Sequence, residues 1–577
     1  MLLLMASAAW ATTVGPTESL AAACAALSDG DVLFIEPGRV VEADATDASD
    51  SCEIWGVSGV TIQSAGTELA DVGGITVMAS AKVTLSNLRV GASSYDANVW
   101  VVQSSLVALE GLHLSESTEL GVYLFDSEVE VSDLVADVEL LDGDAFMYIG
   151  RQPGGSHGET YVVDTATASG PGARVEVVGR PTTSVSLTDL SLTGGRGGRE
   201  SDDKGGCLAI DGHSTSTSGP QVLLDGLTLK ECDAFKGGGL SVSMGEVTLQ
   251  YSSVTGAAGE YGGALHMGPF AKLTLSDVTL SGNTADSSGG AVWNEGGALS
   301  GESVHLSGNV APRGAVLAQT IGEVTLAHST VCSNQVTGFE AGAGTVASLH
   351  GGTASFARSE IRDNGGGTAL FLLENSAGLE LDHVSLWEND DDLLFGIQDA
   401  TSAVKVRGSL LSHAQFGSVG FGLAGGYNLW YAVGTPAMGT SLPSTDTVSA
   451  EDPGLGLWPS GADCSIPLHP DAASPLVDAG DPARDPDPDG SVEDIGAHPY
   501  EHPVDTGDSG DSGDSGDSGD SGETGETGDS GVVETGTPDT GVQAAPLLLG
   551  GCGRGANSGA FILGLGLLLL GRRRLGV

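Results

Sequence analysis

The stretch Asp485-Pro486-Asp487-Pro488-Asp489-Gly490-Ser491 sets a carboxylate at every second residue and a glycine at the sixth place. Alternate side chains of an extended loop can converge on one hard cation, and the glycine permits the sharp turn that such a loop needs. The twelfth position is Gly496 rather than a glutamate, which excludes an EF-hand, so Glu493 or Asp494 would have to complete the shell. Asp485, Asp487, Asp489, Glu493 and Asp494 are therefore the candidate ligands of a calcium ion; a solvated acidic turn is the competing reading. A second cluster, Arg196, Arg199, Glu200, Asp202, Asp203 and Lys204, mixes acids and bases in one short run. Proton transfer at a sugar ring needs such a mixture, and an ordinary charged loop has the same composition. No Cys or His spacing matches a zinc site. Asp390-Asp391-Asp392 reads as solvated.

The elements that must hold these groups follow from composition. The chain has 577 residues with 90 glycines, and its 22 Lys+Arg against 76 Asp+Glu give a formal charge of −54. A field of that sign repels phosphate, so no nucleic-acid partner is expected. Each glycine weakens a helix interior by about 1 kcal/mol, which argues against a bundle. An all-β chain rich in turns accommodates them.

A repeat supplies that chain. Val247-Thr248-Leu249 returns as Leu273-Thr274-Leu275, and the second apolar position recurs at Leu249, Leu275, Leu326, Phe356, Leu381 and Val406. The successive steps are 26, 51, 30, 25 and 25, the double step hiding one coil whose marker is Gly301. Each copy alternates with period two, as a strand with one buried face does. A coil of about 25 residues closes no core alone, but stacked coils do, each strand pairing in parallel with its counterpart. The expected fold is all-β: a single-stranded right-handed parallel β-helix. A two-sheet sandwich would not keep so constant a step.

Asn283, Asn309, Asn334, Asn364 and Asn389 follow the strands at the same spacing and suit a ladder of stacked amides. Glycine corners recur, as in Gly237-Gly238-Gly239, Gly262-Gly263-Ala264 and Gly289-Gly290-Ala291. Together with steps such as Leu280-Ser281-Gly282-Asn283, they resemble the repeats of polymorphic outer-membrane and related extracellular β-helix proteins. That family favours Phe at the first place of the step and this chain does not, so the resemblance implies architecture, not function. Two places past the marker runs a polar column, Tyr251, Asp277, Ser303, His328, Arg358 and His383, which is either a sugar-binding ribbon or a wet turn. Register is lost between Val138 and Pro181, where a projecting loop is expected within a β-helix spanning 61–430.

The ends concern location. Residues 1–11 close on Ala9-Trp10-Ala11, a signal-peptide pattern, and 12–60 read as an N-terminal cap with its first strands. Residues 431–503 read as a C-terminal cap. Its Ser474-Pro475-Leu476-Val477-Asp478-Ala479-Gly480-Asp481 and Asp494-Ile495-Gly496-Ala497-His498 resemble the tail (choice-of-anchor Q type) that closes bacterial surface β-helices. Residues 504–545 repeat Asp-Ser-Gly and Glu-Thr-Gly and read as an extended acidic stalk. Residues 546–577 carry Cys552, a short apolar run and Arg572-Arg573-Arg574, in an order that resembles myxobacterial C-terminal sorting tails (MYXO-CTERM type). The resemblance implies retention at the cell surface or outer membrane, with the tail as the membrane contact. A plain membrane anchor would place the body outside the cytoplasm as well.

Six cysteines remain for that oxidising space, and closeness in sequence favours Cys24–Cys52 and Cys207–Cys232. The function expected is non-catalytic adhesion or interaction, with an extracellular polysaccharide or another surface protein as partner. A polysaccharide-binding or polysaccharide-degrading enzyme is the alternative. No Asp, Arg, Lys and His set has the spacing of a known lyase or hydrolase.

Overall fold

The computed structural model describes residues 10–500, apart from 40–49, 92–96, 116–119, 138–144, 151–158, 202, 213–217, 339–342, 420–422, 456–463 and 465. Residues 1–9 of the expected signal segment, the expected stalk, and the expected sorting tail with Cys552, Arg572, Arg573 and Arg574 lie outside the described residues, as does Asp202, whereas Ala11 is described and pairs with Val32 in the first strand pair. Among the described residues no helix is long and apolar enough to cross a membrane.

Parallel pairing links each coil to the next. The marker column runs Leu33, Ile62, Leu85, Leu109, Val131, Val163, Leu187, Leu224 and Leu249, each opposite the next. It continues through Leu275, Gly301, Leu326, Phe356 and Leu381 to Val406. The side chains of this column are buried, and fully burying a Leu or Val contributes about 1.5–3 kcal/mol. Gly301 keeps its place because a Cβ there would lie 2.6 Å from Leu326 Cδ2; the neighbouring leucine fills the gap. Parallel strands joined by crossovers take the right-handed path, and the chain is a right-handed parallel β-helix.

One turn shows the plan. Leu265–Ser276 bends across two faces, Thr279–Ser281 forms a third, and Thr284–Ser288 lies in a separate narrow sheet before Val292–Asn294 begins the next turn. The corners between faces are single residues in the left-handed conformation. Tyr251, Asp277, Ser303, His328, Arg358 and His383 have φ between 45° and 55°, so the polar column is a stack of turn residues. It is not a uniform ribbon either: Tyr251 is exposed while His383 is buried. A second left-handed corner, at Gly282, Gly308, Ser333, Asp363 and Glu388, immediately precedes each asparagine of the ladder.

Those asparagines are buried and joined end to end. The backbone N–H and side-chain amide of Asn283 both donate to Asn309 Oδ1, and the pattern repeats from Asn309 to Asn334, Asn364 and Asn389 at 2.9–3.1 Å. Each amide also donates to a strand carbonyl beside it. Corner backbone that no strand can reach is thereby satisfied.

Two differences from the sequence reading concern position. Of the span 138–181, read from the sequence as a projecting loop, 138–144 and 151–158 lie outside the described residues; Met147–Gly150, Glu159–Ser169 and Val175–Gly179 are strands in register with the coils on either side. The long step from Val131 to Val163 hid them, because extra residues fall between strands and break the spacing without breaking the pairing. The segment after 450 binds laterally along the last coils, more clasp than lid. Arg484 pairs with Asp382 at 2.8 Å, Glu493 with His383 at 3.0 Å and His498 with Glu360 at 2.8 Å. The fully buried Arg362 donates to the carbonyls of Cys464 and Ile466, and Cys464 is bonded to Cys332. Leu455, Leu468, Leu476 and Ile495 form an apolar cluster with Trp387, Leu410 and Leu429. At the other end Leu20–Ala25 is a short helix whose Ser19 cap accepts from the Ala22 amide, and Cys24 is bonded to Cys52. Cys207 is bonded to Cys232 on the next coil.

Candidate functional site

The acidic loop is folded into the clasp. Asp487 Oδ2 accepts from the Asp494 amide, and the two oxygens of Asp494 accept from the amides of Asp478 and Tyr500. Glu493 faces His383 and Arg484, while Asp485 and Asp489 are exposed. Burial foremost raises the carboxyls of Asp487 and Asp494 above their ordinary values, the charges of Asp494 and Asp489 adding to it at Asp487 and those of Asp478 and Asp489 at Asp494. The five residues do not converge into one oxygen shell, and among the described residues no three His, Cys, Asp or Glu side chains are placed to hold a metal ion. This geometry leads to an unchanged melting temperature on adding millimolar calcium. A rise that chelator reverses and Asp487→Ala abolishes would show the loop reorganising around the ion.

The basic loop divides. Arg199 forks onto Asp233 and reaches Asp286, two coils on, and this pairing holds its guanidinium above even the usual arginine value despite burial. Arg196 bridges Asp233 through its backbone. Asp203 accepts from the Glu200 amide at 2.6 Å. Lys204, which reaches Asp211 at 3.6 Å, joins Arg174, Asp203, Asp211 and Ser241 around a cavity of about 200 Å³. The correction for Asp391 is plain: between exposed Asp390 and Asp392 its carboxyl is buried. It is turned inward at the corner before the strand that starts at Leu393, where Thr345 and the Gly367 amide donate to it.

Two arrangements on the face that carries His266 are not visible in any short motif. The first is aromatic. Thr76, Trp100, Tyr123 and Tyr148 occupy one outward column, and Trp55, Met78, Val102 and Phe125 the column two residues on. Tyr123 stacks on Tyr148 with centroids 5.2 Å apart, and Trp100 caps the stack at 4.4 Å. Gly150 closes the second column, and a Cβ there would lie 2.2 Å from Tyr148 Cε1, so only glycine lets that ring lie across it. Where the column steps down to Thr76, a cleft of about 420 Å³ opens between Trp100 and Trp55. Trp55 is 69% exposed. Coils are spaced by about 4.8 Å, so walls two coils apart stand about 10 Å apart, wide enough for one flat ring between them. Burial foremost, with Glu176 and Tyr123 nearby, pushes the Tyr148 phenol up to about 12, so it stays a neutral donor.

The second arrangement lies farther along the same column, where Ser241, His266 and Trp293 are successive partners. Ser241 Oγ is 2.7 Å from His266 Nδ1, and His266 Nε2 is 3.4 Å from Glu295 Oε2. Glu295 Oε1 accepts from Lys236 at 2.6 Å and from the Trp293 indole at 3.3 Å. Ser241, His266 and Glu295 stand on three successive coils, tens of positions apart in sequence. The available signal is the register itself: with coils aligned, Ser241 and His266 fall opposite one another.

No protein-family model matches the chain, and no curated protein does. Among solved structures, the chain is similar to pectate lyase Pel9A, at 12% identity and a TM-score of 0.25, over 85% of this chain and 96% of that one. It is also similar to a mannuronic acid-specific family 6 polysaccharide lyase from human gut microbiota, at 9% identity and a TM-score of 0.27, over 77% and 92%. Likeness this distant bears on neither chemistry nor substrate; the parallel pairing of the coils carries the fold on its own.

Proposed function

We propose that the protein is an exported, surface-tethered rod that binds a neutral polysaccharide in the cleft between Trp55 and Trp100. The observation that carries this reading is the cleft itself: two tryptophans two coils apart, with Thr76 and Met78 between them and Glu53 at the rim. A pyranose offers an apolar C–H face and a polar hydroxyl edge, and this combination of aromatic walls and polar groups complements both. An anionic polymer is disfavoured by the charge of −54 and by the absence of any Lys or Arg among the residues lining the cleft. The signal segment, acidic stalk and sorting tail support a surface location, from which a rod could reach a matrix polymer; adhesion to that matrix is the role that follows.

The test is affinity electrophoresis and calorimetry of the full chain against neutral and acidic polysaccharides. A neutral glycan should be retained, and Trp100→Ala should weaken it about tenfold, a loss of about 1.4 kcal/mol. Retention of uronate polymers instead, or equal binding by Trp100→Ala, would overturn the assignment.

A further inference from the structure

We propose that Ser241, His266 and Glu295 form a hydrolytic relay that cleaves short O-acyl esters, an activity independent of the glycan cleft. The argument begins with the tautomer. Glu295 Oε2 lies 3.4 Å from His266 Nε2, outside hydrogen-bond geometry, and its charge favours the ring proton on that nitrogen. His266 Nδ1 is then the bare nitrogen, and the 2.7 Å contact is the Ser241 hydroxyl donating to it. Nucleophile, base and orienting carboxylate thus stand in the order that acyl transfer needs.

The surroundings suit those roles. Ser241 and His266 are each 1% exposed, so their hydrogen bond is shielded from competing water. Desolvation foremost lowers the His266 pKa, Lys236 and Lys204 acting in the same direction and Glu295 against them, so at neutral pH the ring is uncharged and open to a proton. The His266 ring 3.4 Å away and the Lys236 ammonium donating to the carboxylate keep Glu295 ionised. Gly237 makes room for the ring, since a Cβ there would approach His266 Cβ to 3.0 Å. Ser241 sits on the wall of the cavity of about 200 Å³ that Lys204 and Arg174 also line. It has room for an acetyl or similarly small acyl group, and Lys204 on its wall is a cation for the carbonyl oxygen.

The chemistry balances without a cofactor. Ser241 Oγ attacks the acyl carbon as its proton passes to His266 Nδ1. The ester C–O bond breaks, and the leaving alkoxide takes that proton and departs as an alcohol. Water then attacks the acyl-serine, giving its proton to His266, and collapse releases the carboxylic acid while Ser241 regains a proton. Ser241 and His266 are catalytic residues in this scheme; Glu295 is a positioning residue.

Full-length protein is incubated with p-nitrophenyl acetate and, separately, with a fluorophosphonate probe followed by peptide mass spectrometry. The expected result is catalytic turnover with the probe on Ser241, and a fall of at least about 10³-fold in kcat for Ser241→Ala or His266→Asn. Glu295→Gln should shift the acidic limb of the rate profile to lower pH, because the imidazolium loses its anion; Glu295→Asp should restore it, an effect a merely structural role would not produce. Unchanged far-UV spectra and melting of Ser241→Ala confirm that the fold survives. Absence of turnover and labelling in wild type, or turnover that persists in a folded Ser241→Ala, overturns the proposal. Either result leaves the glycan assignment standing, since Trp55 and Trp100 take no part in it.

Discussion

Asn334→Ala should destabilise the β-helix by about 4 kcal/mol, a loss that among ladder residues only Asn364, with the same set of partners, should match. Asn334 Oδ1 is the acceptor for both the backbone N–H and the side-chain amide of Asn309. Its own amide donates to the carbonyls of Leu306 and Cys332 and to Asn364 Oδ1. Removing the side chain leaves two buried donors and neighbouring carbonyls without their partner, where water has no access, at about 1–3 kcal/mol for each group so stranded. These terms do not sum fully, because adjacent coils relax. The position within the ladder provides the control. Asn283 Oδ1 accepts from the Ala257 amide alone, so Asn283→Ala strands fewer donors and should cost about half as much. Denaturant unfolding of the three proteins under identical conditions gives the comparison. A loss below about 1 kcal/mol for Asn334→Ala, or equal losses at the two sites, would show that the ladder accompanies the fold without holding it.

The ladder also shows why so much of the architecture can be read from the chain and so little of the site. Register in a solenoid is a one-dimensional property: Leu275 must lie over Leu249 because each coil closes before the next begins. Apolar spacing therefore predicts stacking directly, and glycine corners and asparagines mark the turns. Where extra residues lengthen one coil, as between Val131 and Val163, the spacing signal fails although the pairing continues. Sites obey another rule. Ser241, His266 and Glu295 each look ordinary in their own coil, and the aromatics of the Trp55–Trp100 cleft are dispersed in a chain only 5% aromatic. What brings them together is their place on two adjacent outward columns, legible only once every corner is positioned. Conversely, dense local charge misleads. The Asp485–Asp494 loop and Arg199 carry the most conspicuous runs of charge, yet their side chains are taken up in pinning the clasp and the narrow sheet. Charge packed close in sequence reports a loop that must be tied down as readily as one that binds.

Asp391→Asn should stabilise the protein at neutral pH, by about 2–3 kcal/mol, and lose that advantage in acid. Asp391 Oδ1 accepts from Thr345 Oγ1 and from the Gly367 amide, while its other oxygen is buried with no hydrogen-bond partner. Burial foremost, with the charges of Asp390 and Asp392 adding to it, pushes the Asp391 carboxyl up to about 6. An unfolded aspartate titrates near about 3.9, so the folded state binds the proton more tightly and is favoured by protonation. Below about pH 4 both states are protonated and the group contributes its full share to stability. As pH rises from about 4 to 6 the unfolded chain ionises first, and that share is lost; above about pH 6 the folded protein holds a buried, half-satisfied anion. Each pKa unit corresponds to about 1.36 kcal/mol, which sets the size of the gain. Asparagine keeps the shape and the acceptor for Thr345 and Gly367 while removing the charge. Melting temperatures of wild type and variant across pH 4 to 8 should diverge upward from about pH 4 and run parallel above about pH 6. If the variant is no more stable at pH 7.5, or the gap is independent of pH, the buried carboxylate is not the neutral-pH liability that its environment implies.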